Sequence, residues 1–489
     1  MLVRRNPEHL RPDPARVITE LFVPGQEGFD HLDSRSSAVL GRILALSEAE
    51  VRGSLDDVVA RFGRRHRDLL ATFRMNAHHL MDRLPRDAKL SKNRRLLIGA
   101  VFTNEKAIEG AGVCNPSIVA HPDQTGIPAG GLRFVMSLRG IGEGHRSSVE
   151  FRTGVVDAFG RATVEDHGPF ATTGVRAPAE LDATPFRVEL DRLDGGGENA
   201  DYIFDALGDR FSHSDLQRQL ATLERKLVTR RHSGRTASLV RSVAERTYGI
   251  RFDSDSDLSE RVLVPSMGAE RQGMEDARFV RFTDDDGSVT YYGGYTAYDG
   301  HDICQQILRT DDFVEFTSSP VVGAAAANKG LALFPRRIGG RFAALSRADR
   351  ESNAIAFSRN PYCWLTARPC QVPESAWEVL QLGNCGSPIE TDVGWLVLTH
   401  GVGPLRTYNI GAILLDLDDP VRVLGRLRRP LLSPDLDEQN GYVPNVVYSC
   451  GALAHAGTLI LPYGIGDSSI GIATVALTEL LDALSHESR

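Results

Sequence analysis

No run of this 489-residue chain approaches the roughly 18 consecutive apolar residues that a membrane helix needs. The opening residues, MLVRRNPEHLRPDP, lack the apolar stretch of a secretory signal. A cytoplasmic protein with no membrane partner is therefore expected. Cysteine is sparse. The six are Cys114, Cys304, Cys363, Cys370, Cys385 and Cys450; none forms a CxxC pair, and no histidines stand near them at zinc-like spacing. They read as reduced, mostly buried thiols, and no metal site is expected. Positive charge is in deficit. A formal net charge of -8 argues against a nucleic-acid backbone as partner, although a local basic pocket can still bind an acidic substrate. The GxSxG nucleophile elbow is missing, which weakens a serine-hydrolase reading. GIGEGHRS has the glycines of a phosphate loop, but β texture follows it, so it has no helix N-terminus to hold a phosphate.

What is present is ordinary in amount and uneven in arrangement. Hydrophobic residues make up 42% and charged residues 25%, the proportions of a globular protein, and the length implies several domains or one large fold with insertions. Residues 35–84 read as helical. Ser47 with Glu50 has the form of a capping box, and Val51, Leu55, Val58, Val59 and Phe62 recur at helical spacing, as do Leu69, Leu70, Phe73, Ala77 and Leu80. The basic run RFGRRHRDLL is a solvated helix face on this reading. His78 and His79 are adjacent and share no face, so they make no metal site.

From about residue 96 short apolar or alternating runs appear between Gly, Asp, Asn and Pro: LLIGAVF, LRFVMSL, SSVEFRTG, VTYYGGYTAY, WLVLTHG, TLILPYG. One helical stretch interrupts this β texture, LQRQLATLERKL behind a second capping pattern at Ser214 and Gln217, inside a segment of about 161–250 that reads as an insertion. Five segments echo one another: SSVEFRTG, CQQILRTDD, NAIAFSRN, NIGAILLDLDD and IGIATVAL. The last four are about 50 to 60 residues apart, and the first gap equals a similar unit plus the insertion. Repeats of this size with several strands each point to an all-β fold, a five-bladed β-propeller, with a double-sheet sandwich as the alternative. The implied organisation is an N-terminal helical segment over 1–95, with a propeller-closing strand near 15–23; a propeller over 96–477, with the insertion; and a tail over 478–489.

A propeller gathers a site from the strand ends of several repeats. Arg139, Lys329, Arg347, His400 and Asp467 each stand at the end of an apolar β run, where a single charge is ordinarily a turn residue. Placed so in several repeats, they fit a convergent pocket for an oxyanion or phosphate. The pair Glu275-Asp276 in GMEDARFVRF has its own plain reading, a turn ahead of a strand.

The ordered set GMEDAR, NKGLALFP, RFAALSRADRES, GWLVLTHGVG, YNIGAILLDLDDPVRVLGRL, GYVPNVVYSCGA and YGIGDSSIGIA resembles glycoside hydrolase family 130, the β-mannoside phosphorylases and related mannosidases. The resemblance covers about 96–160 and 260–477, and the N-terminal helices and the insertion resemble the larger branch acting on β-1,2-linked mannooligosaccharides. It implies a five-bladed propeller and an inverting phosphorolysis that yields α-mannose 1-phosphate. The co-substrate would be inorganic phosphate, with no other cofactor, and the partner a β-mannooligosaccharide. It makes Asp276 the acid, acting through a sugar hydroxyl, in a Glu-Asp-Pro-Arg motif whose proline is replaced here by Ala277. Lys329, Arg347, His400 and Arg278 would bind phosphate. Asn115, Arg139, Glu275, Tyr408 and Asp467 would hold the sugar. Two alternatives stay open: a hydrolase of the same family, with Glu390 or Glu438 recruited as base, and a propeller that binds glycans without turnover. The N-terminal helices are expected to brace the fold or to join two copies in a homo-oligomer.

Overall fold

The computed structural model describes residues 2–24, 32–84, 88, 90–225 and 233–486. Among these no helix is long and apolar enough to cross a membrane. The chain divides into two compact units, one of residues 13–109 with 168–172, the other of residues 1–12, 110–167 and 173–489.

The smaller unit holds the helices Leu32–Ala45, Glu48–Phe62, Leu69–His78 and Lys92–Val101 and a strand pair, Val17–Leu21 with Thr103–Ala107. The capping box at Ser47 and Glu50 is formed. Arg94 explains the tight corner before it. Its guanidinium donates to the carbonyls of Ile43, Leu44 and Leu46, which end the first helix, and to the Glu48 carboxylate, which begins the second. The LLIGAVF run is helical rather than β. Leu96, Leu97, Ile98 and Phe102 are all buried there, and a short run buried on several sides carries no alternation that tells a helix from a strand. Gly99 lets this helix touch its neighbour: a Cβ at that position would lie 1.8 Å from the Phe73 carbonyl oxygen. Gly99→Ala is expected to destabilise the unit by about 3 kcal/mol through overpacking, read as a lower urea midpoint; an unchanged midpoint would show that the helices do not meet at this point.

The larger unit is mostly sheet. Its strands follow one plan five times, an antiparallel meander of four neighbouring strands. The first strands of the meanders are Gly112–Ala120, Gly273–Thr283, Ala332–Leu333, Gln381–Asn384 and Val447–Tyr448. All five echoed segments fall on third strands, namely Ser147–Val156, Ile303–Thr310, Asn353–Ser358, Tyr408–Leu415 and Ser469–Ala476. The first two meanders merge into one 12-stranded sheet through a parallel pairing of Gly273 with Ser147. The strand that completes the last meander is Val3–Arg5, paired with Ser469–Ala476. Val17–Leu21, which lies in the stretch expected to close a propeller, pairs with Thr103–Ala107 instead.

Ala162–Val164 still belongs to the first meander, so the insertion departs after it. Its ends return as the strands Val175–Ala177 and Tyr248–Arg251 on the edge strand Glu315–Pro320. Between them the helices Ala183–Arg192, Glu198–Leu207, His213–Arg225 and Ser233–Ala244 enclose a separate core that includes Phe186, Leu190, Ile203, Phe204, Leu216 and Leu220. The helix at 213 is capped by Ser212 and Asp215, each bonding the other's backbone, in place of Ser214 and Gln217; the two overlapping patterns differ in which serine precedes the first helical residue. The expected tail is a helix, Leu477–His486, whose Leu480 and Leu484 are fully buried in the core of the last two meanders.

Candidate active site

Three of the singled-out residues occupy left-handed backbone. Asn115 has φ 48°, Asp276 φ 57° and Asp467 φ 51°. Non-glycine residues rarely tolerate this region, and Asn and Asp tolerate it best because their short polar side chains bond locally. Two of the three sit in β-bulges. The ladder between Gly273–Thr283 and Val289–Tyr298 breaks after Glu275 and resumes at Arg278. That between Gly112–Ala120 and Leu132–Ile141 breaks after Cys114 and resumes at Ser117. A bulge re-aims the side chain it carries. Asp467 lies in the turn between Thr458–Ile465 and Ser469–Ala476. The bulge also accounts for Ala277: the ladder skips this position, so neither alanine nor proline costs a ladder hydrogen bond there.

Around Asp276 the charges separate into two groups. In the first, Glu275 bridges two cations: its carboxylate accepts from Arg139 Nη2 at 2.8 Å and from Lys329 Nζ at 3.1 Å. Arg139 also donates to Ser147 Oγ at 2.7 Å and stands 3.9 Å from Asp276 Oδ1. Burial pushes the Asp467 carboxyl up; the Arg139 charge works against this, and Asp276 and Glu275 add to it. Burial also pushes Asp276 up, but the charges of Lys329, Arg139, Arg278 and Arg347 outweigh it and hold the carboxyl below the usual range. Asn115 is buried nearby, its Oδ1 accepting from Cys114 Sγ.

The second group is cationic and aromatic. Arg278 is 3% exposed and donates to the Tyr448 hydroxyl at 2.7 Å, to the Asp276 carbonyl at 3.0 Å and to Asn384 Oδ1 at 3.3 Å. Arg347 is 9% exposed and donates through Nη2 to the Arg350 carbonyl, while its buried Nε meets no acceptor among the described residues. His400 is fully buried, with Nδ1 3.1 Å from the Asn384 carbonyl and its ring packed against Tyr448 and Tyr408. Burial, then Arg347 and Arg278, push the His400 imidazole well below its ordinary range, so it is neutral. Burial and the Arg278 charge lower Arg347, with Tyr448 opposing. Among the described residues no carboxylate forms an ion pair with Arg278 or Arg347.

Glycine makes this packing possible at one place. A Cβ on Gly383 would lie 2.3 Å from both Cδ and Nε of Arg347 and 2.6 Å from His400 Cε1.

The structure thus joins Glu275, Asp276, Arg278, Lys329 and Arg139 with Asp467 nearby, and gathers Arg347, His400 and Tyr408 about Arg278 and Tyr448. Tyr408, read as a sugar contact, stacks on His400. The two carboxylates weighed as hydrolytic bases are engaged elsewhere. Glu390 is held by Arg336 through three hydrogen bonds, and Glu438 by Arg5, the Tyr463 hydroxyl and the Asp435 amide. Sequence reasoning missed Asn384 and Tyr448, the neutral groups that hold Arg278 and His400. Both lie on first strands, and that common position was their only signal. Among the described residues no group of three or more His, Cys, Asp or Glu is disposed to hold a metal.

Residues 227–486, more than half of the chain, match the glycoside hydrolase 130 family model, described as beta-1,4-mannooligosaccharide phosphorylase. A 1,2-beta-oligomannan phosphorylase of a Thermoanaerobacter species is 34% identical over 230 residues, which cover 46% of this chain and 75% of that protein. A beta-1,2-mannobiose phosphorylase of Listeria innocua is 31% identical over 239 residues, covering 46% of this chain and 64% of that one. Among solved structures, the beta-1,2-mannobiose phosphorylase of Listeria innocua bound to beta-1,2-mannobiose aligns with a TM-score of 0.47 and 23% identity, over 78% of this chain and 94% of that one. The chain belongs to glycoside hydrolase family 130.

Proposed function

We propose that this enzyme is an inverting phosphorylase that cleaves β-1,2-linked mannooligosaccharides with inorganic phosphate, releasing α-mannose 1-phosphate and a shortened oligosaccharide. The observation that supports this reading is the pair of buried guanidiniums, Arg278 and Arg347, neither of which forms an ion pair with a carboxylate among the described residues, and with Arg347 Nε unsatisfied among them. Buried cations are normally paired, because taking a charge out of water costs several kcal/mol on the order of magnitude unless an opposite charge offsets it. Two such groups call for an anionic ligand, and phosphate matches the planar donor fork of arginine.

Inversion needs an acid on the leaving-group side and a nucleophile on the opposite face of the sugar. Water would need a base to activate it. Phosphate is already anionic and needs only to be held in line with C1. Asp276 is the acid in this scheme. The surrounding cations favour its ionised form, and a bound phosphate dianion offsets those same cations, which raises its affinity for the proton it must deliver. Lys329, which bonds Glu275 and acts on Asp276, supplies a further cation to the anion in this scheme. Asn115, Arg139, Glu275 and Asp467 hold the mannosyl unit, and Glu275 is already neutralised by Arg139 and Lys329.

The preference for β-1,2 linkages draws support from the relatives named for oligomannan and mannobiose with that linkage. We further propose that the five meanders are the blades of a propeller, with their first strands around the axis. The bulged and charged positions on or beside those strands support it, as does the return of Val3–Arg5 to the last meander. The deciding experiment incubates the protein with β-1,2-mannobiose and longer oligomers, with and without phosphate. Mannose 1-phosphate formed only with phosphate is the expected result. Free mannose formed without it would replace the phosphorylase by a hydrolase.

A further inference from the structure

His400 stands in the proposed anion pocket with its hydrogen-bonding role already decided. A carbonyl oxygen only accepts, so the 3.1 Å contact with Asn384 O places the hydrogen on Nδ1. The neutral ring then offers a lone pair at Nε2, and Nε2 meets no partner among the described residues. The ring cannot turn over to exchange its nitrogens without losing the Asn384 bond. Cε1, between the two nitrogens, and Arg347 Nε both pack against Gly383, so the orphan donor and the imidazole edge are neighbours. The groups facing the ring are Arg278 and Arg347, which resist a second positive charge, and the aromatic rings of Tyr408 and Tyr448.

We infer that His400 reads a hydrogen on the bound anion: it accepts the P–O–H of monohydrogen phosphate and thereby rejects sulfate, an anion of the same size and charge that has no hydrogen to offer. The inference rests on the anion-pocket reading above and deepens it. It also assigns a place to each proton in the reaction. Monohydrogen phosphate keeps its hydrogen pointed at His400, so the oxygen that attacks C1 is a bare one. The C1–O bond to the leaving sugar breaks as the C1–O–P bond forms. The leaving oxygen takes its proton from Asp276, and the product departs as the mannosyl phosphate monoanion with the His400-bound hydrogen still on phosphorus oxygen. A site built to bond a substrate hydrogen leaves its own polar group unpaired when that hydrogen is missing, which costs on the order of 10²-fold or more in affinity.

The test compares inorganic phosphate with sodium sulfate by calorimetry on the full chain, at mildly alkaline pH where both are dianions, and repeats it on His400→Gln, whose amide can donate. Phosphate binding with sulfate about 10²-fold weaker, and a ratio collapsing toward one in the variant, is the expected result. Equal binding of the two anions by the unmodified protein overturns the inference and leaves the anion pocket standing. Binding of neither removes the pocket, and the inference with it. Discrimination that survives in His400→Gln moves the reading residue elsewhere and also overturns it. Should the glutamine fail to fold, His400→Asn carries the same donor and takes its place, with the same outcomes.

Discussion

Asp276→Asn is expected to slow phosphorolysis by about 10³-fold, the scale of a lost general acid, while phosphate binding survives and tightens. The side chain keeps its size and its tolerance of left-handed backbone at φ 57°, so the bulge has no cause to rearrange. What disappears is a proton donor and a negative charge. That charge now competes with any anion for Lys329, Arg139, Arg278 and Arg347. Single-turnover rates and phosphate calorimetry on the same preparation separate the two effects. Activity within about tenfold of the unmodified enzyme would take the acid role from Asp276.

Arg347→Ala should act in opposite directions on activity and stability. The kcat/KM for phosphate is expected to fall by about 10²- to 10³-fold, as when one preorganised donor to a reacting anion is lost. The melting temperature of the ligand-free protein should hold or rise. Arg347 is buried beside the like charge of Arg278, its Nε is unsatisfied among the described residues, and its main anchor is one carbonyl, that of Arg350. Removing it relieves repulsion and desolvation, which offset the packing lost against Gly383. Phosphate should raise the melting temperature of the unmodified protein by mass action and lose that effect in the variant. An unchanged dependence of rate on phosphate would remove Arg347 from the anion site.

The two expectations rest on residues of different legibility. Arg347, His400 and Lys329 were visible because a charge at the end of an apolar strand breaks the local pattern, and because the breaks recur from repeat to repeat. The repeat itself was legible because third strands share one environment, and their texture marks all five meanders. Asn384 and Tyr448 gave no such contrast. A neutral amide and a phenol in a β run are unremarkable until two arginines are seen to lean on them. The left-handed turn at Asp276 was equally hidden, since a bulge is a property of two paired strands and only one of them holds the motif. The helix Lys92–Val101 was misread for the opposite reason. Its apolar run is real, but burial on several sides erased the period that separates helix from strand. Resemblance to a family brought Asp276 forward where spacing alone left a turn.

The left-handed positions also restrict what an engineer can ask of this enzyme. At Asn115, Asp276 and Asp467 the backbone admits a short alphabet, in effect asparagine, aspartate and glycine, and penalises β-branched residues most. Saturation libraries at these codons should therefore be dominated by poorly folded chains, whatever activity is selected. A route toward a water-using variant, or toward another sugar, has to pass through positions with ordinary extended backbone, such as Glu275, Arg139 or Tyr408.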